Sequence, residues 1–145
     1  RDKMLNKRKL WVINNKERCR QITNKTSRKT YNNNKSKRLL QCARSRIYKL
    51  VRSGSMNKNK KTRALIGCSP EELIKHIESK WTAGMSWDNY GRASINNNTW
   101  QIDHIKPCSK FNLLDEAEQM ECFNYKNLQP MWAIDNIIKS DNYNE

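Results

Sequence analysis

Four residues toward the C-terminal end have the types and spacing to do chemistry together. Asp103 and His104 stand side by side in Trp-Gln-Ile-Asp-His-Ile-Lys-Pro, and Asn127 and Asn136 lie nine residues apart in Asn-Leu-Gln-Pro-Met-Trp-Ala-Ile-Asp-Asn. A metal-assisted hydrolase needs an oxygen ligand for a hard cation and a neutral imidazole able to take a proton from water. Asp103 and His104 offer both at adjacent positions. The chain has only two histidines, and one of them is placed beside a carboxylate in a short apolar run.

The elements that must position these residues follow from local patterning. Trp100 to Ile105 reads as a short strand ended by Pro107. Leu128 to Met131 reads as a strand able to pair back antiparallel, and Ala133 to Ser140 as a helix. Successive strand residues point to opposite faces, so a regular strand cannot aim both Asp103 and His104 at one site. A bulge, or the end of the strand, is therefore expected at this pair. The intervening segment from Lys110 to Glu118 predicts a loop and a short helix, whose acids are repelled by a phosphate backbone. Trp100, Trp132, Ile134, Leu113 and Leu114 are the simplest core candidates.

Upstream, Ser69 as N-cap, Pro70 at the first helical position and Glu72 three residues after the cap form a capping box. Leu73, Ile74, Ile77 and Trp81 carry that helix to about residue 81. The other histidine, His76, lies on it and reads as structural or exposed. Gly84 to Gly91, turn-rich with two aromatics, reads as a packed loop covering the core, and Arg92 to Thr99 as a surface loop.

Charge divides the chain in two. Residues 1–67 hold 22 Lys and Arg against two acids, a charge of +20, while residues 68–145 carry −5, giving +15 for the whole. Such asymmetry points to a basic nucleic-acid-binding arm (residues 1–65) joined to a globular domain (residues 66–145). With 36% hydrophobic residues and a mean hydropathy of −1.04, a core filling the whole chain is not expected. Residues 1–36 read as an extended arm or short helices that order on a polyanion, with Asn32 to Asn34 as a loop. Leu40, Ala43, Ile47 and Leu50 or Val51 fall on one face of a helix over residues 37–52. Arg38, Arg44, Arg46, Lys49 and Arg52 occupy its other faces and are candidate phosphate contacts, as are Lys60 and Lys61 in a flexible basic linker over 53–62.

The five cysteines, Cys19, Cys42, Cys68, Cys108 and Cys122, include no Cys-x-x-Cys pair. That argues against a zinc knuckle and against a disulfide framework, and for reduced, mostly packed thiols in an intracellular setting, whether cytoplasmic, nuclear or organellar. No stretch approaches the roughly 18 apolar residues of a membrane span, and no membrane partner is expected.

Asp103-His104-Ile105-x-Pro107, followed by Asn127-Leu128-Gln129-Pro130 and Asn136-x-x-Lys139, resembles the HNH endonuclease family over roughly residues 66–140. The resemblance implies an α+β fold, the small ββα-metal (His-Me) finger, preceded by the basic arm. It implies that His104 is the general base that deprotonates water for attack on a phosphodiester. Asp103 and Asn136 would be metal ligands, and Asn127 the middle residue that ties the loop to the strand and orients the imidazole. The family's last histidine is an asparagine in this chain, as in one subset of the family. An amide carbonyl is a hard neutral oxygen, which favours Mg²⁺ or Mn²⁺ over Zn²⁺ or Ni²⁺. Lys139, one turn after Asn136, is placed to reach a substrate phosphate.

The expected function is thus a metal-dependent DNA endonuclease, nicking or double-strand cutting, encoded by a cellular, phage or viral genome. The competing expectation is a non-catalytic subunit that uses the finger as a scaffold and its arm to bind structured RNA or DNA in a larger assembly. A pure sequence-specific regulator is disfavoured because no helix-turn-helix pattern stands out.

Overall fold

Helix formers and basic side chains dominate the first third of the chain, and in the computed structural model they form long helices rather than an extended arm. The structure describes residues 2–58, 60–91 and 98–143, with side chains from residue 6 onward. Helix α1 spans Asp2–Asn14 and α2 spans Lys16–Asn32. The break expected at Asn32 to Asn34 is present: Asn33 ends α2, and Asn34 Oδ1 accepts the Lys37 amide at 2.8 Å to start α3, Lys35–Arg52. No residue of α2 is buried, and Leu10, Trp11, Val12, Ile13 and Ile22 are all exposed. Among the described side chains, α1 and α2 thus bury no apolar core of their own. Isolated helices of this length are marginal in water without tertiary packing.

The chain divides into two compact units, Arg1–Arg38 and Leu39–Glu145. Composition placed the boundary near residue 65, but the division falls inside α3. The reason is packing: Leu39, Leu40 and Ile47 are buried in the core of the second unit. The presumed linker over 53–62 likewise packs. Met56 is buried, and the Asn57 carbonyl accepts a hydrogen bond from the buried Gln119 side chain at 2.8 Å.

Helix α4, Thr62–Ile66, buries Leu65 and Ile66 and ends at Gly67, whose φ of 75° is left-handed. A Cβ there would meet the Asn124 side chain at 3.0 Å. Gly67→Ala is expected to cost at least about 1–2 kcal/mol, the penalty of a left-handed L-residue, read as a shift of the urea midpoint. An unchanged midpoint would mean that this turn relaxes freely. Helix α5, Pro70–Ser79, begins with the expected capping box: Ser69 Oγ accepts the Glu72 amide at 3.1 Å and Glu72 Oε2 accepts the Ser69 amide at 2.8 Å. It ends two residues before the expected Trp81, and it buries Leu73 and Ile77.

The loop over Gly84 to Gly91 covers the core as its aromatics suggested. Trp87 and Tyr90 pack with Trp81 on Trp100 at ring separations of 4.6 to 5.8 Å, and Met85 is buried. Of the surface loop expected over Arg92 to Thr99, residues 92–97 lie outside the described residues.

Two strands, β1 (Trp100–His104) and β2 (Leu128–Trp132), pair antiparallel, with Trp100 opposite Trp132 and His104 opposite Leu128. Between them lies α6, Glu116–Phe123, capped by Asp115. After β2 the chain turns directly into α7, Ala133–Lys139. The second unit is therefore a small α+β domain with helices around a two-stranded antiparallel sheet. Leu39, Leu40, Ile66, Leu73, Ile77, Trp100, Ile102 and Leu128 form one core cluster, and Ile47, Met56, Leu65, Leu113, Cys122 and Phe123 a second.

Leu114 and Ile134 depart from the expected core and are exposed, at 58% and 62%. Helix α7 explains the second. The outer row of β1 carries Gln101 and Asp103, and α7 turns Asn136 and Lys139 inward to bond them, leaving Ile134, Ile137 and Ile138 toward solvent. The inward polar side keeps the buried Asp103 carboxylate paired, and stranding such a charge costs about 3–5 kcal/mol. No described helix is long and apolar enough to cross a membrane.

Candidate functional site on the two faces of strand β1

The regular register of β1 sends its alternate side chains to different surroundings. Trp100, Ile102 and His104 share the face toward the core; Ile102 and His104 line one small apolar cavity with Leu39, Ile66, Leu73 and Leu128. Gln101 and Asp103 face α7. The strand does end at His104, as the sequence required, but the pair is not turned to one side.

On the α7 face, Asp103 is buried, and its Oδ2 accepts from Lys139 Nζ at 2.5 Å and from Gln129 Nε2 at 3.0 Å. The same ammonium donates to the main-chain carbonyls of His104 at 2.5 Å and Ile105 at 3.1 Å. Asn136 Nδ2 donates to Gln101 Oε1 at 3.1 Å, two residues before Asp103. Asp103 and Lys139 are thus bonded across this seam, Asn136 of the same helix is bonded to Gln101, and three oxygens already gather the Lys139 ammonium.

On the core face, His104 is buried. Its Nδ1 is hydrogen-bonded to Arg46, and its ring meets Phe123 edge-on at 5.7 Å. A guanidinium can only donate, so Nδ1 accepts and a neutral ring carries its hydrogen on Nε2. That Nε2 is buried without a hydrogen-bond partner. Beside the ring lie Cys108, just after Pro107, and Cys122 on α6. The ligand atoms of all three lie within 4.8 Å of one another.

Asn127 ties the loop after β1 to its surroundings. Its Oδ1 accepts the Lys106 amide at 2.9 Å, and its Nδ2 donates to the carbonyls of Lys106 at 3.1 Å and Cys122 at 2.9 Å. Its own carbonyl accepts the Ile105 amide at 2.8 Å. These bonds hold the loop after β1, and the imidazole is bonded by Arg46 rather than by Asn127. His76 donates from Nε2 to the Leu128 carbonyl at 2.9 Å, a structural bond.

The basic candidates separate by environment. Arg44, Lys49, Arg52 and Lys61 are exposed, and Arg38 is half-buried. Lys60 is engaged by Glu116 at 2.6 Å. Arg46, expected on phosphates, is instead the partner of His104. The places of Arg46, Gln101, Gln129 and the two cysteines around β1 were not legible in the sequence, since each reaches the site through tertiary contacts. Only the alternation rule could have flagged Gln101, which shares the Asp103 face.

No protein-family model matches the chain, and no solved structure matches it. The chain is similar to two uncharacterized proteins of Acanthamoeba polyphaga mimivirus. One is 36% identical over 104 residues, covering 72% of this chain and 42% of that protein. The other is 38% identical over 98 residues, covering 68% and 39%. The chain therefore spans about two fifths of the length of these curated relatives, which come from a giant virus.

Proposed function

We propose that this chain is a metal-dependent DNA endonuclease of the HNH type, with a ββα-metal finger formed by β1, β2 and α7. The observation that supports the reading is the seam between β1 and α7, where the Asp103 carboxylate and two main-chain carbonyls collect the Lys139 ammonium, with Asn136 on the same helix bonded to Gln101. The donor set is all oxygen, which fits a hard divalent cation such as Mg²⁺ or Mn²⁺. Asp103 and Asn136 would hold that ion, which, when bound, neutralises charge on the scissile phosphate and the leaving oxygen.

The chain's own residues supply the remainder. Lys139, released from Asp103, turns its ammonium to a substrate phosphate. Asn127 holds the loop that fixes the end of β1. His104 accepts the proton of the attacking water at Nε2, which requires that Arg46 release Nδ1, so that the ring hydrogen moves there, and that the strand end turn the ring toward Asp103. Catalytic contacts often tighten only once substrate is bound. The exposed Arg44, Lys49, Arg52 and Lys61, together with Arg38 and the helices of the first unit, bind the phosphate backbone. Residues 1–38 alone carry 14 Lys and Arg against two acids.

A second reading rests on a specific observation. His104 Nε2 is buried and Asp103 is already paired with Lys139, an arrangement that equally suits a non-catalytic finger whose arm binds structured RNA or DNA. Nicking of supercoiled plasmid separates the two. The endonuclease reading expects open circles in Mg²⁺ and none in EDTA; no metal-dependent cleavage of either DNA or RNA leaves the scaffold.

Arm binding has its own measurement. By counterion release, log affinity for duplex DNA falls by about 0.9 per phosphate contact with log salt. Deleting residues 1–36 is expected to flatten that slope in a salt titration of binding. An unchanged slope would show that the arm is off the phosphates.

A further inference from the structure

Cys108 and Cys122 are separated by 14 positions in sequence, yet their sulfurs lie 3.4 Å apart. Both are free thiols. Cys108 sits half-buried in the loop that follows β1, while Cys122 is fully buried on α6. Arg46, held at His104 beside them, brings a permanent positive charge to the pair. A cation there disfavours a bound metal ion and favours a thiolate, the nucleophile of thiol–disulfide exchange. The His104 Nδ1 lone pair is also taken by Arg46, and in that neutral form Nε2 carries a hydrogen, so neither nitrogen is free to ligate.

We propose that Cys108 and Cys122 are a reversible thiol–disulfide pair, with Cys108 the attacking thiol and Cys122 the resolving one. The Cys122 S–H donates to Cys108 Sγ, which is the first cause of a Cys108 thiol held below the ordinary range, with His104 and Arg46 adding to it. Giving that hydrogen bond, together with burial, pushes Cys122 up. The oxidant is a low-molecular-weight disulfide. The Cys108 thiolate attacks one of its sulfurs, forming a mixed disulfide and expelling one thiolate. The Cys122 thiol then loses its proton to solvent, attacks Cys108 Sγ and displaces the second thiolate. The net change is two protein thiols and one small disulfide converted to one protein disulfide and two small thiols. The new bond cross-links the loop after β1 to α6, on the core face of His104. This inference does not depend on the endonuclease reading.

The test is alkylation and mass spectrometry of the folded full chain after equilibration with oxidised glutathione. The expected result is that three of the five cysteines remain alkylatable after denaturation, with Cys108 and Cys122 recovered as one cross-linked peptide that reductant separates. Cys122→Ser should instead trap glutathione on Cys108, while Cys108→Ser should leave Cys122 unmodified. Five alkylated cysteines, a glutathione adduct persisting on wild-type Cys108, or zinc bound at one per chain and protecting both thiols would each overturn the proposal. Because the readout is covalent, it is independent of any nuclease assay.

Discussion

His104→Ala is expected to lower phosphodiester cleavage by at least about 10²–10⁴-fold, the usual contribution of a positioned general base, while duplex binding stays within the error of the wild type. The chemistry sets the first part: without an imidazole, water must surrender its proton unaided as it attacks. The second part follows from geometry, since His104 is buried on the core face of β1 and the exposed cations lie elsewhere. Truncating a buried ring beside Phe123 and Arg46 also leaves a hole, so the variant must be compared below its own melting transition. His104→Gln, which keeps more of the volume, should fold better and cleave equally poorly. Wild-type rates in either folded variant would sink the assignment of the base.

The second large effect concerns the ion pair on the other face. The side chains of Lys139 and Asp103 are only 17% and 10% exposed, with Nζ and Oδ2 at 2.5 Å. Lys139→Met leaves the carboxylate without its cation, and breaking one half of a buried pair costs about 3–5 kcal/mol. In metal-free buffer the variant should therefore unfold at markedly lower denaturant. A divalent cation that takes the vacated oxygens binds only the folded state and restores stability by mass action. Mg²⁺ should then raise the stability of Lys139→Met much more than that of the wild type, where it must compete with the ammonium. Equal responses to Mg²⁺ would show that the seam is not a cation site.

Much of the fold was legible because it is written in local signals. The capping box at Ser69 and Glu72, the strand over Trp100 to His104, its partner at Leu128 and the helix from Ala133 all follow from period and capping chemistry. What escaped reading was decided by tertiary packing. Composition assigned α3 to the arm, because the basic excess runs unbroken through residues 1–67; yet Leu39, Leu40 and Ile47 suffice to draw it into the core. Ile134 of α7 was expected in the core, but the polar row of Gln101 and Asp103 claimed the inward side for Asn136 and Lys139. Alternation along β1 led to the expectation of a bulge or strand end that would let Asp103 and His104 serve one site; the strand ends there, yet the two keep to different faces. Nothing in the sequence said that Arg46, 58 positions away, would be the partner of the imidazole.

The central claim is that Asp103 and Asn136 hold the cation through which this chain cuts DNA. Plasmid nicking in Mg²⁺ by wild type, Asp103→Ala and Asn136→Ala, purified side by side, tests it most directly. The expected result is open circles from the wild type alone, lost on adding EDTA, with all three proteins still binding the plasmid. Equal nicking by the variants, or none by the wild type in any divalent cation, would contradict it.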